Sequence, residues 1–314
     1  MGGEAAGREA AERAPAGRET AGRETAGRET AERAPSERAP SEWAPSEWAP
    51  SEWAPTVEHM PGRVEAIAEG RPIRPLWQNE AGGLAFLIGT GPGSCFVKWA
   101  PAGSGLDLPA EAVRLAWAVA FTPVARPLGQ GADESGSWLI ATALPGQSAV
   151  APRWLADPRT AVTAIGRGLR ALHDSLPVDG CPFSWTAPDR VTDARRRAAS
   201  GGIDPARWDE SHRRLGVGGA LELLSEPPPV DQLVVCHGDA CAPNTMLDED
   251  GQWSAHVDLG DLGVADRWAD LAVATWSTEW NYGPGWAGTL LEAYGVGPDP
   301  RRTEYYRLLW DLGP

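Results

Sequence analysis

From residue 84 onwards, the hydrophobic residues fall into short runs separated by turn-forming residues. Leu84–Ile88 is a continuous apolar run, residues 89–93 read GTGPG, and Cys95–Trp99 is a second apolar run. Two such runs joined by a glycine-rich turn are typical of an antiparallel hairpin. A helical segment follows at Glu111–Ala120, and a further apolar strand at Trp138–Leu144 ends at a Pro-Gly pair. The pattern predicts a β-rich first part.

The second strand of this hairpin has two different faces. Because side chains alternate along a strand, Cys95, Val97 and Trp99 share one face. Phe96 and Lys98 lie on the opposite face. One face is therefore suited to a hydrophobic core, and the other carries a cation.

The pattern changes to a helical period after residue 150. Apolar residues recur there at spacings of three and four, which buries one face of a helix. They are Val162, Ile165, Leu169, Leu172 and Leu176. Short strands are predicted at Leu233–Cys236 and at Thr245–Leu247, the latter pairing with Trp253–Val257 across a turn. We predict an α+β protein with a small β-rich lobe, a larger mainly helical lobe, and a cleft suited to a small molecule.

The first 55 residues follow a different pattern. AGRET occurs three times in residues 16–30, and units of ERAPS, EWAPS and EWAPT fill residues 32–56. A five-residue period with few aliphatic residues and frequent prolines builds neither a core nor a continuous helix. We expect residues 1–55 to be a disordered low-complexity tail, 56–144 a nucleotide-binding N-terminal lobe and 145–314 a catalytic C-terminal lobe. Met60 is an alternative translation start, and a tryptophan-rich binding arm is the functional alternative for the tail.

The net charge of the chain limits the classes of partner that we expect it to bind. The 314 residues hold 28 Lys and Arg against 43 Asp and Glu, a formal charge of −15, of which −11 belongs to residues 56–314. Such a surface repels phosphate backbones and anionic lipid, so we expect no nucleic-acid or membrane partner and favour a cationic small molecule. With no membrane span, no signal sequence and four sparse cysteines, the protein is expected to be cytoplasmic, with reduced thiols, and a monomer or weak dimer.

Two motifs near residue 240 carry the predicted chemistry. Asp239 and Asn244 lie five positions apart in HGDACAPN, and Asp258 follows in VDLG. Phosphoryl transfer from a nucleotide needs a base for the acceptor hydroxyl, metal ligands and a cation on the phosphates. Asp239 is therefore the candidate base, and Asn244 and Asp258 are the candidate Mg²⁺ ligands.

The cation is supplied by the first part of the chain. Lys98 is the one lysine among 28 basic residues, and Glu111 follows it by thirteen positions. We expect Lys98 to contact the nucleotide phosphates and Glu111 to hold it in position. Gly82 and Gly83 would let the backbone lie close to the triphosphate. Each feature is weak alone. Together they predict a kinase, because they follow one another in the order strand lysine, helix glutamate, HGD with its asparagine, and DLG.

Two histidines and two cysteines are given structural roles. His237 is expected to brace the Asp239 loop through hydrogen bonds, and His173 to pack at the end of its helix. Cys236 and Cys241 lack further residues at zinc-ligand spacing, so they are interpreted as small packing residues.

The longer motifs resemble those of a known family. Residues 237–244 (HGDACAPN), 257–270 (VDLGDLGVADRWAD), 111–117 (EAVRLAW) and 306–309 (YRLL) are similar to the aminoglycoside 3′-phosphotransferases, the kanamycin and neomycin kinases. The resemblance runs from about Trp77 to the C-terminus. It implies a bilobal protein-kinase-like fold and transfer of the γ-phosphate of ATP or GTP, with Mg²⁺, to a sugar hydroxyl of an aminoglycoside, conferring resistance.

The resemblance also implies further site residues. The backbone of the hinge, Ala141, Thr142, Ala143 and Leu144, would bind adenine. Asp266 and Asp270 are expected to cap a helix and brace the loop above it. Aminoglycosides are polycations, so carboxylates would line the acceptor side. The candidates there are Asp209, Glu210 and Asp311.

The sequence departs from the family pattern at several positions. Asp261 stands where the family has Arg after D-x-G, and Trp276, Trp280 and Asn281 stand where it has Arg and acidic residues. Two alternatives follow. The chain is a kinase for another small alcohol, such as a macrolide or a different amino sugar, or a nucleotide-binding relative of weak activity.

Overall fold

A computed structural model describes residue 57 and residues 59–79 and 81–313. The predicted tail, residues 1–55, lies outside the described residues. None of the helices in the described part is long and apolar enough to cross a membrane.

The first part of the described chain is an antiparallel sheet with two helices. The sheet has five strands in the order β1-β2-β3-β5-β4, and one helix lies before it in the chain and one between β3 and β4. The elements are α1 (Gly62–Ala68), β1 (Ile73–Gln78), β2 (Leu84–Ile88), β3 (Cys95–Pro101), α2 (Leu108–Ala118), β4 (Pro127–Asp133) and β5 (Gly136–Thr142).

The predicted hairpin and its two faces are confirmed. β2 pairs with β3 so that Ile88 lies opposite Cys95 and Ala85 lies opposite Lys98. Cys95 and Val97 are buried in a cluster with residues of α1, whereas Lys98 faces the other side of the sheet. Period-two alternation therefore separates the core from the cation, as the sequence indicated.

The two edge strands were not predicted from the sequence. β1 contains Pro75 and β4 contains Pro127, and each strand has a register shift beside its proline. Proline cannot donate to a strand ladder, so it is tolerated at sheet edges and bulges. Pro75 interrupts the pattern of β1, and β4 reads PLGQGAD, with too few apolar residues to show the alternation that marks a strand.

The second part is mainly helical, with short strands that place loops beside the sheet. Its helices are α3 (Pro152–Leu155), α4 (Pro158–Ser175), α5 (Ala187–Ala199), α6 (Glu210–Arg213), α7 (Gly216–Leu223), α8 (Trp268–Tyr282), α9 (Ala287–Tyr294) and α10 (Pro300–Asp311). Its strands are β6 (Gln147–Ser148), β7 (Leu233–Cys236), β8 (Thr245–Leu247), β9 (Trp253–His256) and β10 (Gly263–Asp266). Among them, β7 pairs with β10, and β8 lies between β6 and β9.

Helix α4 forms the centre of the larger core. Its predicted apolar stripe is buried throughout, and the helix packs against α9. A side chain at Gly166 would collide with the backbone of Leu290, so this glycine allows the two helices to approach closely. The fold is thus the predicted α+β arrangement of a β-rich lobe and a larger helical lobe.

Candidate functional site

A largely apolar cavity lies between the sheet and the loops of the helical lobe. Leu76, Phe96 and Leu139 contribute to its wall on the sheet side. Residues 239–244 and 257–258 supply its polar side, in the loops that follow β7 and β9. An apolar slot with a few polar groups at one end is the usual form of a small-molecule site.

Lys98 joins two carboxylates inside this cavity. Its Nζ lies 2.8 Å from Glu111 Oε1 and 2.8 Å from Asp258 Oδ1. Burial disfavours the charged lysine, but the carboxylates of Asp258 and Glu111 outweigh it and raise the pKa of Lys98 above its usual value. The three groups therefore form a charged cluster linking β3, α2 and the loop after β9.

Asp258 adopts a backbone conformation that few non-glycine residues adopt. Its φ is 63°, in the left-handed region. Burial opposes ionisation of this carboxyl, but Lys98 lowers its pKa below the ordinary value. An ionised carboxylate held on strained backbone is a common property of functional sites.

Asp239 and Asn244 lie together on the loop after β7. The amide nitrogen of Asn244 donates to Asp239 Oδ2 and to the Asp239 carbonyl oxygen, both at 3.0 Å. Asp239 Oδ1 is buried and has no hydrogen-bond partner among the described residues. Burial, followed by the nearby Asp258 carboxylate, raises the pKa of Asp239. Asn244 thus anchors one oxygen of this carboxylate, and the Cys241 thiol beside it opposes the rise in pKa.

A buried network holds the Asp239 loop from below. Asp270 Oδ2 accepts from His237 N at 2.6 Å, and Oδ1 accepts from Gly238 N at 3.0 Å. The His237 ring bridges Asp239 N and the Val257 carbonyl, so it joins the two loops. The expected bracing contacts of Asp270 and His237 are therefore present in the structure.

His173 does more than pack at the end of α4. Its Nε2 lies 2.9 Å from Asp270 Oδ2, and its Nδ1 lies 2.8 Å from the Tyr294 hydroxyl. Since a carboxylate only accepts, Nε2 donates to Asp270. His173 thus extends the network under the Asp239 loop to helix α9.

The predicted hinge residues occupy different positions. Ala141 lines the cavity. Thr142 N donates to Arg126 O at 2.9 Å and Ala143 N to Ser94 O at 3.4 Å. Within the described chain, no hydrogen bond is found for the backbone N–H of Leu144. Of the four hinge residues, Ala141 therefore lines the cavity, and Leu144 has a backbone N–H without a partner among the described residues.

Gly82 and Gly83 lie in the turn between β1 and β2. Gly82 has a φ of 81°, and a side chain at Gly83 would collide with Leu106 and Asn79. Gly83 N donates to Asn79 Oδ1 at 2.6 Å. The turn itself requires both glycines, and it joins two strands whose residues Trp77 and Ala85 line the cavity.

Two of the three predicted acceptor carboxylates are already engaged. Asp209 caps α6 by accepting from Ser211 N, and Asp311 Oδ2 accepts from Asp209 N at 3.0 Å. Asp311 Oδ2 also lies 2.6 Å from Nδ1 of the buried His212. Glu210 is exposed. Two of the three candidates therefore connect α6 to α10.

Asp261 lies among charges of both signs. The backbone of Asp261 is so close to Gly238 that a side chain there would collide with it. Burial, and then the Asp239 carboxylate, raise the pKa of Asp261 to about 6, while Arg190 opposes the shift. Burial lowers the pKa of Arg190 to about 10, and its Nη1 has no partner among the described residues. Asp261, which stands where the family has Arg, thus lies near the buried Arg190 of α5.

The cysteines are all free, as predicted. One group in the described chain, His173, Cys236 and Asp270, is close enough to share a metal ion. Its histidine and carboxylate are already hydrogen-bonded at both of their polar atoms. We therefore assign this group to the bracing network.

Several of these contacts were not foreseen from the sequence. Tyr294 contacts His173, which lies 121 positions away in the chain. Arg190, on α5, lies close enough to Asp261 to oppose the rise in its pKa. Arg114 Nε donates to the Leu262 carbonyl at 3.0 Å, linking α2 to the loop after Asp258. The burial of a polar residue would have indicated such partners. The spacing of residues along the chain does not show which polar residues are buried.

Fold and site together define a class of protein. A five-stranded sheet over a helical lobe, with a lysine-glutamate pair on the sheet side and two carboxylate loops opposite, is the architecture of protein-kinase-like phosphotransferases.

Comparison with known proteins gives the family. Residues 73–306 match the phosphotransferase enzyme family. An aminoglycoside 3′-phosphotransferase of Streptomyces fradiae is 40% identical over 222 residues, covering 67% of this chain and 81% of the relative. A streptomycin 3″-kinase of Streptomyces griseus is 35% identical over 226 residues, covering 67% and 82%. The chain belongs to the phosphotransferase enzyme family, among the aminoglycoside phosphotransferases.

Solved structures agree with this assignment. The crystal structure of an aminoglycoside-3′-phosphotransferase of type VIII is 31% identical, with a TM-score of 0.68, and the match covers 81% of this chain and 99% of that one. The Streptomyces rimosus phosphotransferase APH(3″)-Id, in complex with ADP and streptomycin, is 28% identical, with a TM-score of 0.64 and the same coverage. The expected protein-kinase-like bilobal fold is confirmed.

Proposed function

We propose that the protein transfers the γ-phosphoryl group of ATP to a hydroxyl of an aminoglycoside and so confers resistance in the cytoplasm. The observation that carries the proposal is the convergence of Lys98, Glu111 and Asp258 on the cavity that also contains Asp239 and Asn244. The relatives named above act on aminoglycosides, and one is in complex with ADP.

The lining of the cavity favours one orientation of the nucleotide. Adenine is apolar on both faces, so it would lie between the apolar walls, next to Ala141 and the free N–H of Leu144. The phosphates would then extend towards Lys98 at the polar end. In this orientation, Lys98 contacts the α and β phosphates as a point charge, with Glu111 holding it in place. The turn containing Gly82 and Gly83 would lie over the phosphates.

The residues present also fit Mg²⁺. Asp258 is an ionised carboxylate, and the Asn244 amide nitrogen donates to Asp239, so its oxygen is turned to another side. Hard oxygen donors of this kind are the ligands that Mg²⁺ prefers. Asn244 and Asp258 would hold the ion, and its charge would offset that of the phosphates.

Asp239 is placed to act on the acceptor hydroxyl. Its unpartnered Oδ1 would accept the hydroxyl proton as the oxygen attacks the γ-phosphorus and the bond to the bridging oxygen of ADP breaks. Its raised pKa makes it a stronger base than an exposed aspartate. The proton then leaves Asp239 to solvent.

The hydroxyl we propose first is the 3′ hydroxyl. The relatives from Streptomyces fradiae and Streptomyces ribosidificus, at 40% and 34% identity, are named aminoglycoside 3′-phosphotransferases. A streptomycin-type acceptor is the second candidate. It is favoured by the streptomycin 3″-kinase relative and by aromatic residues on the acceptor side, Trp276 and Trp280.

An ADP-release assay on the full chain tests this proposal. ATP and Mg²⁺ are supplied with kanamycin, neomycin, streptomycin or a macrolide, and products are identified by mass and by NMR of the phosphorylated position. We expect turnover with at least one aminoglycoside. Turnover with the macrolide alone would favour the other small-alcohol kinase, and nucleotide binding without any turnover would favour the weak relative.

A further inference from the structure

An aromatic pair on α8 extends from the loop of the proposed base towards α6 and α10. The indole rings of Trp276 and Trp280 lie 5.1 Å apart at an interplanar angle of 38°. The two residues are one helical turn apart, so their side chains share a face of the helix. Trp276 is buried, whereas Trp280 is only half-buried. The pair therefore presents one accessible indole supported by a buried one.

Ser277 fixes the position of this pair relative to Asp239. Its Oγ accepts from Ala242 N at 2.8 Å, three residues beyond Asp239 in the same loop. Trp280 is three positions after Ser277, and residues at this spacing are neighbours on a helix surface. The described residues that line the nucleotide cavity include none from α8. Trp280 therefore lies on the helix that contacts the loop of the base, outside the nucleotide cavity.

The other end of the pair contacts the elements expected to bind the acceptor. The Trp276 ring packs edge-on against His212, with centroids 5.9 Å apart. His212 in turn binds Asp311. The Arg307 guanidinium lies 5.2 Å from the centroid of Trp276. Trp276 is thus held by α6 and α10, which leaves Trp280 as the member of the pair that a ligand can reach.

The carboxylates of α6 and α10 that are already engaged favour an aromatic contact with the acceptor. Asp209 and Asp311 are already engaged with the α6 backbone and His212. An indole face attracts a cation and also packs against the apolar face of a sugar ring. We infer that Trp280 is an acceptor-binding residue on which an ammonium- or guanidinium-bearing sugar ring stacks. This inference rests on the proposed function and adds the recognition of the acceptor to it.

Three substitutions at one position test the inference. Trp280→Ala should raise the KM for kanamycin or streptomycin by about 3- to 30-fold, since a cation-π contact contributes about 0.5–2 kcal/mol. Trp280→Leu keeps bulk but has no π face, so it should behave like the alanine variant. Trp280→Phe should keep KM within about threefold of the wild type. The KM for ATP should stay unchanged in all three.

Trp138→Ala is the matched control, because Trp138 stacks on Arg63 outside the cavity. It should leave the acceptor KM unchanged. Calorimetric titration of kanamycin and streptomycin into each variant, with melting temperatures, separates binding from folding. If the wild-type protein turns over the drug, an unchanged drug affinity in Trp280→Ala or in Trp280→Leu would overturn the inference. Absence of turnover by the wild type would instead count against the proposed function, and the titration would still decide the role of Trp280.

Discussion

The two sides of the Asp239 loop are built on different principles. On the proposed nucleotide side, Lys98 binds both Glu111 and Asp258, at distances of 2.8–2.9 Å. On the proposed acceptor side, Asp311 binds His212, whereas Glu210 is exposed and Trp280 is half-buried.

The difference shows which part of a binding site sequence spacing can reveal. In the proposed function, the nucleotide side binds a triphosphate that does not vary, and its charged residues come in a recognisable order along the chain. The acceptor side binds a sugar that varies, and its groups come from three helices, α6, α8 and α10. Charge near a site therefore does not identify a binding residue until its partners are known.

The largest effect that separates the two sides is expected at Lys98. Lys98→Ala removes the cation from the phosphates, so we expect kcat/KM for ATP to fall by about a hundredfold or more. The acceptor KM should change less than twofold. Steady-state kinetics with both substrates varied makes the measurement.

Arg63→Ala is the control for Lys98→Ala. It removes an exposed cation that pairs with Asp133 on the same lobe. Wild-type ATP kinetics in Lys98→Ala would contradict the proposed nucleotide site.

A stability effect is expected in the network that supports both sides. Asp270→Asn replaces one of the two acceptor oxygens by an NH2 donor, so at least one of the buried N–H groups of His237, Gly238 and His173 loses its acceptor. The buried negative charge is lost as well, and we expect the free energy of unfolding to fall by about 3 kcal/mol. Urea denaturation measures it. Asp174→Asn, which breaks an exposed pair with Arg170, should cost at most about 0.5 kcal/mol. Equal losses in the two variants would contradict the network.

A smaller effect with a defined pH dependence is expected at Asp261. Its pKa of about 6 in the folded protein lies above the unfolded value near 3.8, so the folded state binds the extra proton between these pH values. Ionised Asp261 therefore destabilises the fold above about pH 6, and this cost disappears as the pH falls below about 4.

Asp261→Asn should consequently raise the free energy of unfolding at pH 7 by about 1–3 kcal/mol and leave it unchanged near pH 3.5. Urea denaturation across pH 3.5–8 measures this difference. An equal gain at both pH values would show that the charge of Asp261 is not responsible.

The smallest effect is expected at Asp311. Because its carboxylate is committed to His212, Asp311→Asn should change the acceptor KM by less than about threefold, well below the effect of Trp280→Ala. Initial-rate kinetics with kanamycin or streptomycin compares the two variants directly. A larger change at Asp311 than at Trp280 would reverse the contrast between carboxylate and aromatic recognition.

Sequence reasoning anticipated the elements with local patterns. Strand β3 and its Lys98 face followed from alternation, and the stripe of α4 followed from helical spacing. The edge strand β1 was missed because Pro75 interrupts its pattern, and β4 because it is rich in glycine and has few apolar residues.

The site divides in the same way. Lys98, Glu111 and Asp258 could be nominated from their order along the chain, and the structure brings them together. The His173 contact with Tyr294 and the His212 contact with Asp311 join residues 121 and 99 positions apart, so no local pattern reports them. Asp209 and Asp311 were nominated by the family resemblance together with their charge, and whether they bind the acceptor stays a prediction.

The most direct test follows label from γ-³²P-ATP into an aminoglycoside. Full-length wild type and Asp239→Asn are incubated with Mg²⁺ and with kanamycin, neomycin or streptomycin, and labelled drug is counted after separation. We expect labelled product with the wild type and a loss of about a thousandfold or more in the variant, at unchanged melting temperature and ATP affinity. Comparable labelling by both proteins, or none by the wild type, would contradict phosphoryl transfer through Asp239.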